Sequence, residues 1–205
     1  TQGNISSSDR IREKKKLFLA REQKVVNAAL ELLIGENIDR VTVSKIASKA
    51  GIGKGTVYKH FLTKNEILVR IMLDYERSIA RRLAQALEQG DDGDPGAVSK
   101  AYFDSRLERP ELDRLVQKLE DRLVDADDIR PQLDEFSRIR RSHEDALGSM
   151  ITKLVSEGIL EDVPPHYHYL SCWALAQGAV ELCFNKSWGD LEDTPALMGF
   201  ISSIG

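Results

Sequence analysis

The segment that most constrains the fold of this chain is AGIGKGTVYKHF, residues 50–61. Three glycines surround Lys54 and precede Thr56, a composition that suits both a phosphate-binding loop and the turn of a helix-turn-helix. The two motifs differ in what comes before the glycines, which is a buried strand in the first and a helix in the second. The residues around the segment therefore decide between two different folds.

A phosphate-binding loop of the G-x-x-x-x-G-K-[ST] type fits the sequence poorly. If Gly53 and Lys54 form its GK pair, the first glycine of the motif is replaced by Ser48. The residue after the lysine is Gly55 rather than serine or threonine. The preceding segment, TVSKIASKA, has apolar residues at helical spacing instead of the continuous apolar run of a buried strand. The nucleotide-binding interpretation is therefore disfavoured.

A helix-turn-helix explains the same residues. Gly51 can adopt the positive φ of a tight turn, the small side chain of Ala47 lets two helices cross steeply, and Val57 anchors the second helix. The other members of the predicted core are Val26, Ala29, Leu33, Ile46, Ile52 and Phe61. Gly53 and Gly55 would let the backbone approach DNA phosphate, at some cost in helix propensity. An ordinary helical hairpin with a glycine turn remains the alternative.

The charge distribution favours a nucleic-acid partner for the N-terminal part of the chain. The net charge of the 205 residues is −4. Residues 1–64 contain 13 Lys and Arg against 6 Asp and Glu, whereas residues 65–205 contain 16 against 27. A basic N-terminal part on an acidic remainder predicts a polyanionic partner for the basic part alone.

The whole chain is predicted to be helical, with no alternating strand pattern and no internal repeat. The predicted helices span residues 13–34, 43–50, 54–60, 63–89, 97–109, 111–124, 130–157, 165–188 and 195–204. Thr63 and Glu66 have capping-box spacing at the start of the fourth helix, and GDDGDPG at 90–96 is the clearest break. We predict an all-α fold in which a three-helix helix-turn-helix domain with a basic arm, residues 1–62, is joined by a long helix to a helical bundle, residues 63–205.

Residues 25–68, VVNAALELLIGENIDRVTVSKIASKAGIGKGTVYKHFLTKNEIL, resemble the DNA-binding domain of the TetR family of bacterial transcriptional repressors. The matching residues share one register: Ala28, Ala29, Leu32, Gly35, Thr42, Val43, Ile46, Ala47, Ala50, Gly51, Gly55, Thr56, Tyr58, His60, Phe61 and Lys64. Ile38 and Asp39 stand where the family usually has an aromatic residue. The resemblance implies a diverse helical body, residues 63–205, that binds an effector and forms a homodimer.

The reading helix is expected to enter the major groove of operator DNA with its N-terminal residues nearest the bases. The candidate DNA-binding residues are Thr42, Lys45, Lys54, Gly55, Thr56, Tyr58, Lys59, His60 and Lys64. Lys54 and Thr56 are predicted to meet a base or a phosphate, and Tyr58 to hold a phosphate. Thr42 and Lys64 lie at predicted helix starts, where anions are attracted.

Further cations are predicted to contact the DNA backbone. Lys59 and His60 are expected to face the backbone or base edges, and Lys45 the backbone alone. The arm that contains Arg10, Arg12 and residues 14–16 would add counterion-release affinity or reach the minor groove, unless it is a disordered tail.

The remaining apolar residues of the body predict a ligand pocket between helices, although each of them alone could be core. The candidate ligand-binding residues are Met72, Tyr75, Tyr102, Phe103, Met150, Trp173 and Gln177. The segment SCWALAQGAVELCF places Ser171, Ala174 and Gly178 on one side of a helix. Small residues permit close helix approach, so we predict a homodimer through the last two helices.

Other functional classes are disfavoured by the residues. No catalytic motif is found, so the chain is predicted not to be an enzyme, and no cofactor is expected. His168 and Cys172 are one helical turn apart but lack further ligands for a metal. No secretory signal or membrane span is recognised, and the spacing of Cys172 and Cys183 precludes a disulfide between them, so a reducing cytoplasm is expected.

The sequence thus predicts a DNA-binding transcriptional regulator, which we interpret as a homodimeric repressor released from operator DNA by a small hydrophobic effector. An activator or a ligand-independent regulator would have the same fold. A helix-turn-helix module of a DNA-processing enzyme, such as a recombinase, is the alternative from another class.

Overall fold

The computed structural model describes residues 7–90, 96–188 and 194–204, and these residues contain helices and no β-strand. The α-helices are α1 (Ser7–Gly35), α2 (Val43–Ala50), α3 (Lys54–Val57), α4 (Lys64–Gly90), α5 (Ala97–Leu107), α6 (Pro110–Leu123), α7 (Arg130–Ser156), α8 (Pro165–Leu182) and α9 (Thr194–Ile204). Short 3₁₀ turns occur at Ile38–Arg40, Asp127–Ile129 and Lys186–Trp188. The predicted all-α fold is confirmed. Most of the predicted break at 90–96 lies outside the described residues.

The chain divides into two compact units. The first unit runs to Ile71 and includes Ala126–Ile129, and the second contains Met72–Asp125 and the chain from Arg130 onward. The boundary between the units falls within α4 rather than before it. Ala126–Ile129, the last four residues of the connection between α6 and α7, thus belong to the first unit, although both of those helices belong to the second.

The first unit has a small apolar core of helix-turn-helix type. Buried residues from α1 to α4 form it: Val25, Val26, Ala28, Ala29, Leu33, Val41, Ile46, Ala47, Ala50, Val57, Phe61, Ile67 and Leu68. These residues include all of the predicted core except Ile52, which is partly exposed. Helix α1 begins at Ser7, so Arg10 and Arg12 lie on its exposed first turns and not in a disordered tail.

The turn after α2 has the predicted conformation. Gly51 ends α2 in the left-handed region, at φ 64°, and its N–H donates to the carbonyl groups of Ala47 and Ser48. Such a φ is costly for any residue with a Cβ atom. The glycines follow a helix and not a strand, which removes the structural basis of a phosphate-binding loop.

Helix α3 is shorter than predicted, and the next helix begins as predicted. Helix α3 ends at Val57, whose carbonyl then accepts from the N–H groups of His60 and Phe61. Thr63 caps α4 because its Oγ1 accepts from the N–H of Glu66 at 3.2 Å, and Glu66 accepts from the N–H of Leu62.

The second unit contains most of α4 together with α5 to α9. Phe103, Ala176, Ala179 and Ile201 form one buried cluster between α5, α8 and α9. Helix α8 ends at Leu182, earlier than predicted. Just beyond it the side chain of Asn185 accepts from the N–H of Ser187 at 2.9 Å, a local hydrogen bond that competes with helix continuation.

Candidate functional site

The helix-turn-helix of the first unit exposes a group of polar side chains on and just after α3. Lys54, Gly55 and Lys59 are exposed, Thr56 is partly exposed, and Tyr58 is 41% exposed. The Nζ of Lys54 lies 5.9 Å from the centre of the Tyr58 ring. These five predicted residues therefore lie on a solvent-accessible surface at one end of the first unit's core, where they can meet another molecule.

Gly51 and Gly55 differ in whether the fold itself requires a glycine. No protein atom comes within 4 Å of a Cβ atom built at Gly55 outside the backbone of its own helix, and its φ is not positive. Packing and backbone conformation therefore do not explain a glycine at position 55, in contrast to Gly51. A glycine that the fold does not require, on an exposed helix, is expected where another molecule approaches the backbone closely.

Thr42 and Lys45 lie at the start of α2 and are exposed. The Oγ1 of Thr42 accepts from the N–H of Lys45 at 3.2 Å, so Thr42 caps the helix. The Nζ of Lys45 is 2.6 Å from Glu36 Oε2. Within the described part of the chain no acidic side chain pairs with Lys54 or Lys59, so both ammonium groups are available for an anion.

Two of the predicted DNA-binding side chains are directed elsewhere. The side chain of His60 is 3% exposed, its ring centre lies 4.2 Å from that of Phe18, and its Nδ1 is 3.8 Å from Glu22 Oε1. Because α3 ends at Val57 and the backbone turns, His60 packs inward and cannot read base edges. The ammonium of Lys64 donates to the carbonyl of Ile38 at 2.5 Å, which ties the start of α4 to the turn before α2.

The sequence of this unit matches a known family model. Residues 25–71 match the family model of bacterial regulatory proteins of the tetR family. This segment is therefore similar to the DNA-binding domain of TetR-family regulators. The resemblance found in the sequence is therefore confirmed, and relatives in this family are transcriptional regulators rather than enzymes.

Relatives of the TetR family match mainly through the N-terminal residues. The transcriptional regulator SrpR of Pseudomonas putida is 38% identical over 50 residues, which are 24% of this chain and 24% of SrpR. The chain spans 24% to 58% of the length of the first curated relatives that it matches.

Solved TetR-family structures share the fold over most of the chain. A regulatory protein from Rhodococcus RHA1 has a TM-score of 0.70 at 16% identity, covering 90% of this chain and 94% of its own. The regulator FadR from Bacillus subtilis, solved in complex with stearoyl-CoA, has a TM-score of 0.61 at 19% identity, covering 89% and 96%. At such identities the similarity concerns the fold alone.

The second unit contains a partly open cavity of about 810 Å³. Tyr75, Tyr102, Met150 and Trp173 line it, together with aliphatic residues of α4 to α8. A cavity of this volume with a mainly apolar lining is typical of a small-molecule site.

Three predicted ligand-binding residues do not line the cavity. Met72 and Phe103 are 1% and 0% exposed and belong to the core, because their sides of α4 and α5 face other helices. Gln177 also lies outside the lining: its Oε1 accepts from Arg106 at 2.9 Å and its Nε2 donates to Gln117 at 2.6 Å. Its role is to hold two polar residues that do line the cavity.

A first polar cluster in the lining is centred on Arg106. Its Nε and Nη2 donate to the two oxygens of Asp113 at 2.9 and 2.8 Å, and both side chains are at most 5% exposed. Tyr75 donates its hydroxyl proton to Asp113, and burial together with the Asp113 charge raises the pKa of Tyr75. Gln117 donates to Asp113 at 2.6 Å. The cluster is a closed network of satisfied groups.

A second polar cluster is centred on Arg140. Its guanidinium donates to Glu120 at 2.9 and 2.8 Å and to Glu76 at 3.0 Å. Glu76 is 2% exposed, and burial raises the pKa of its carboxyl although Arg140 opposes the shift. His143 Nε2 lies 3.4 Å from Glu76, and burial lowers the pKa of His143 below its usual range. Two carboxylates thus share one guanidinium.

Sequence reasoning missed these charged residues, although a signal was present. Arg140 and His143 continue, at spacings of three and four, the same stripe of α7 that carries Leu147, Met150 and Leu154. All five residues line the cavity. A charged side chain in register with an apolar stripe is costly unless it is paired, so it marks a buried polar network.

Other sites considered in the sequence are not assembled. Among the described residues no group of three His, Cys, Asp or Glu side chains is placed to hold a metal ion. His168 Nε2 lies 3.0 Å from the carbonyl oxygen of Glu161. Of the described helices, none combines the length and apolar character needed to cross a membrane.

Proposed function

We propose that the protein is a homodimeric, sequence-specific DNA-binding repressor that a small molecule in the cavity of the second unit releases from its operator. The observation that carries the DNA-binding part is the exposed surface of Lys54, Gly55, Thr56, Tyr58 and Lys59 on a helix-turn-helix. The TetR-family match of residues 25–71 supports it independently. A protein that regulates chromosomal genes would act in the cytoplasm.

In the proposed DNA complex, α3 lies in the major groove. Lys54 and Thr56, in the first turn of α3, are nearest the base edges, whereas Tyr58 and Lys59 follow it and contact phosphate. Thr42 presents the capped start of α2 to a phosphate. Lys64 supports the start of α4 through Ile38 and contributes to DNA binding indirectly.

The proposed dimer uses α8 and α9. Large apolar side chains on these helices are at least half exposed: Tyr167, Leu170, Trp173 and Phe200, the first three of which also line the cavity at this face. Ala174 and Gly178 are exposed as well, and no protein atom lies within 4 Å of a Cβ atom built at Gly178 outside the backbone of its own helix. An apolar face with small residues is suited to a second copy of the same helices.

A repressor of this kind requires a physical link between cavity and DNA. Tyr75, Glu76 and Ile79 of α4 line the cavity, and the same continuous helix begins beside the DNA-binding surface at Lys64. A ligand acts through this helix if it binds one position of the helix more tightly than another. A ligand with equal affinity for both positions would not change their populations. Two reading helices must also be about 34–36 Å apart to enter successive major grooves.

Selection from a random DNA pool tests the DNA-binding part without knowledge of the operator. The purified chain should enrich a sequence with two related half-sites, and gel retardation should show saturable binding to it. Lys54→Ala should weaken that binding, while Lys118→Ala, an exposed lysine of α6, should leave it unchanged. Failure to enrich any sequence with folded, dimeric protein would contradict the proposal. An activator or a ligand-independent regulator would bind the selected DNA but would not be released by a cavity ligand.

A further inference from the structure

Acidic groups outnumber basic groups around the cavity. Five acidic side chains line it, including Glu76, Glu120 and Asp113, whereas its permanently charged basic side chains are Arg106 and Arg140; His143 and His168 also line it. The lowered pKa of His143 keeps that imidazole neutral and adds no positive charge at neutral pH. The formal charge of the lining is therefore negative.

Both arginines are already bound by the protein. Every guanidinium nitrogen of Arg106 donates to a protein oxygen: Nε and Nη2 to Asp113, Nη2 also to Gln177, and Nη1 to the Tyr102 hydroxyl and the Trp173 carbonyl. Arg140 donates to Glu76 and Glu120 through both terminal nitrogens. An anionic ligand would have to displace the buried Asp113 carboxylate from Arg106, which is strongly unfavourable, or compete with both Glu76 and Glu120 for Arg140.

The lining contains acceptors that the protein leaves unsatisfied. Glu76 and Glu120 share Arg140, so with both carboxyls ionised this cluster has one negative charge in excess. Burial raises the pKa of Glu76, and a cation bound beside it would act against that shift. The Nδ1 of His143 is buried and has no hydrogen-bond partner among the described residues. Because Nε2 faces the Glu76 carboxylate, it carries the proton, which leaves the Nδ1 lone pair as an acceptor.

Aromatic rings complete the same cavity. Tyr75, Tyr102 and Trp173 line it, and Trp173 is half exposed. The faces of Tyr and Trp rings attract cations, more strongly when both are removed from water. We propose that the cavity binds a lipophilic organic cation, a quaternary phosphonium or ammonium ion or a protonated aromatic amine, with Glu76 and Glu120 supplying the counter-charge. The inference rests on the proposal that this cavity is the effector site, and it excludes anionic effectors such as acyl-CoA.

Two probes of nearly equal size and shape but opposite charge test the proposal on the unmodified chain. Tetraphenylphosphonium and tetraphenylborate would each be titrated into the protein by calorimetry. Like charge opposes binding in a desolvated site, so the phosphonium should bind at least about tenfold more tightly than the borate. Equal or tighter binding of tetraphenylborate, tighter binding of stearoyl-CoA, or no binding of the phosphonium at millimolar concentration would overturn the proposal.

Matched variants locate the counter-charge. Glu76→Gln and Glu120→Gln should each weaken phosphonium binding about three- to tenfold, because each removes the negative excess beside Arg140. Glu108→Gln removes an exposed carboxylate that pairs with Arg82 outside the cavity and should have no effect. Circular dichroism shows whether the Glu76→Gln variant folds. If it does not, the Glu120→Gln variant and the comparison of the two probes still test the proposal. Unchanged phosphonium affinity in a folded Glu120→Gln variant would overturn the assignment.

Ligand-free DNA binding, measured in parallel, separates this inference from the proposed function. Operator binding without selective cation binding would refute the cation-binding inference but not the proposed DNA-binding function. Selective cation binding without any DNA binding would refute the proposed DNA-binding function but not the charge preference of the cavity.

Discussion

Thr63 donates a 2.9 Å hydrogen bond to Asp128, a residue of the loop between α6 and α7. The side chain of Asn65 donates to the same carboxylate at 3.0 Å. These bonds hold the start of α4 against Ala126–Ile129, within the first unit. Helices α6 and α7, which the loop connects, carry Asp113, Glu120 and Arg140 of the cavity lining. In addition to α4, this loop is therefore a second chain connection from the cavity-lining helices to the DNA-binding unit.

Asp128→Ala should uncouple this loop from α4 with little loss of global stability. The two hydrogen bonds are exposed to solvent, so the free energy of unfolding should fall by less than about 1 kcal/mol. Hydrogen exchange should instead accelerate at the amides of the first turn of α4, because Thr63 loses its anchor. Asp125→Ala, an exposed residue of the second unit just before the loop, is the matched control. Exchange rates in α4 that do not differ between the two variants would show that Asp128 anchors nothing.

Gly55→Ala and Gly51→Ala should have opposite effects on stability. Alanine at 55 meets open space in a helix and should stabilise the fold by up to about 1 kcal/mol while weakening DNA binding. Alanine at 51 must adopt φ near 64° and should destabilise by about 1–2 kcal/mol. Thermal unfolding and gel retardation of both variants measure the effects. A Gly55→Ala protein with native DNA affinity would show that no phosphate approaches this backbone.

Tyr58→Phe and Lys54→Ala should weaken DNA binding in different ways. Loss of the Tyr58 hydroxyl removes a phosphate contact, so affinity should fall about equally for operator and unrelated DNA. Lys54→Ala should relax preference at one base pair, by about 1–3 kcal/mol if its ammonium reads a guanine. Competition binding against single-base operator variants distinguishes the two. Uniform loss in both proteins would assign Lys54 to the phosphate backbone as well.

The sequence allowed most helix positions to be predicted, because apolar spacing, Pro at helix starts and Gly51 are local signals. The inward position of His60 could not be predicted, since it depends on α3 ending at Val57 and on the long-range contact with Phe18. The same holds for Gln177, whose partners Arg106 and Gln117 come from other helices. Tyr75, Tyr102, Met150 and Trp173 were found through their apolar character, whereas the charged lining depends on pairing between distant residues.

His143 should make the stability of the fold sensitive to mild acid. Burial lowers its folded-state pKa, so below the ordinary histidine pKa of about 6.5 the unfolded chain binds more protons than the folded one. Stability should therefore fall as the pH drops from about 6.5 toward the folded pKa, with a slope of at most about 1.4 kcal/mol per pH unit. His143→Gln should flatten this dependence, and His166→Gln, at an exposed position, should not. Unfolding temperatures measured between pH 7.5 and 5.5 provide the comparison, and identical slopes for wild type and His143→Gln would contradict it.

Gly178→Leu should disrupt the proposed dimer without damaging the protomer. Because no protein atom lies within 4 Å of the Cβ position at 178 outside the backbone of its own helix, a leucine has room there within one chain. In a dimer that packs α8 against its symmetry mate, the same leucine would separate the helices and reduce the contact area. Sedimentation should show a shift from dimer to monomer, and operator affinity should fall with it because one protomer presents one reading helix. Ala196→Leu, at an exposed position of α9, tests whether the interface extends to that helix. A Gly178→Leu protein that sediments as the wild-type dimer would place the interface away from this side of α8.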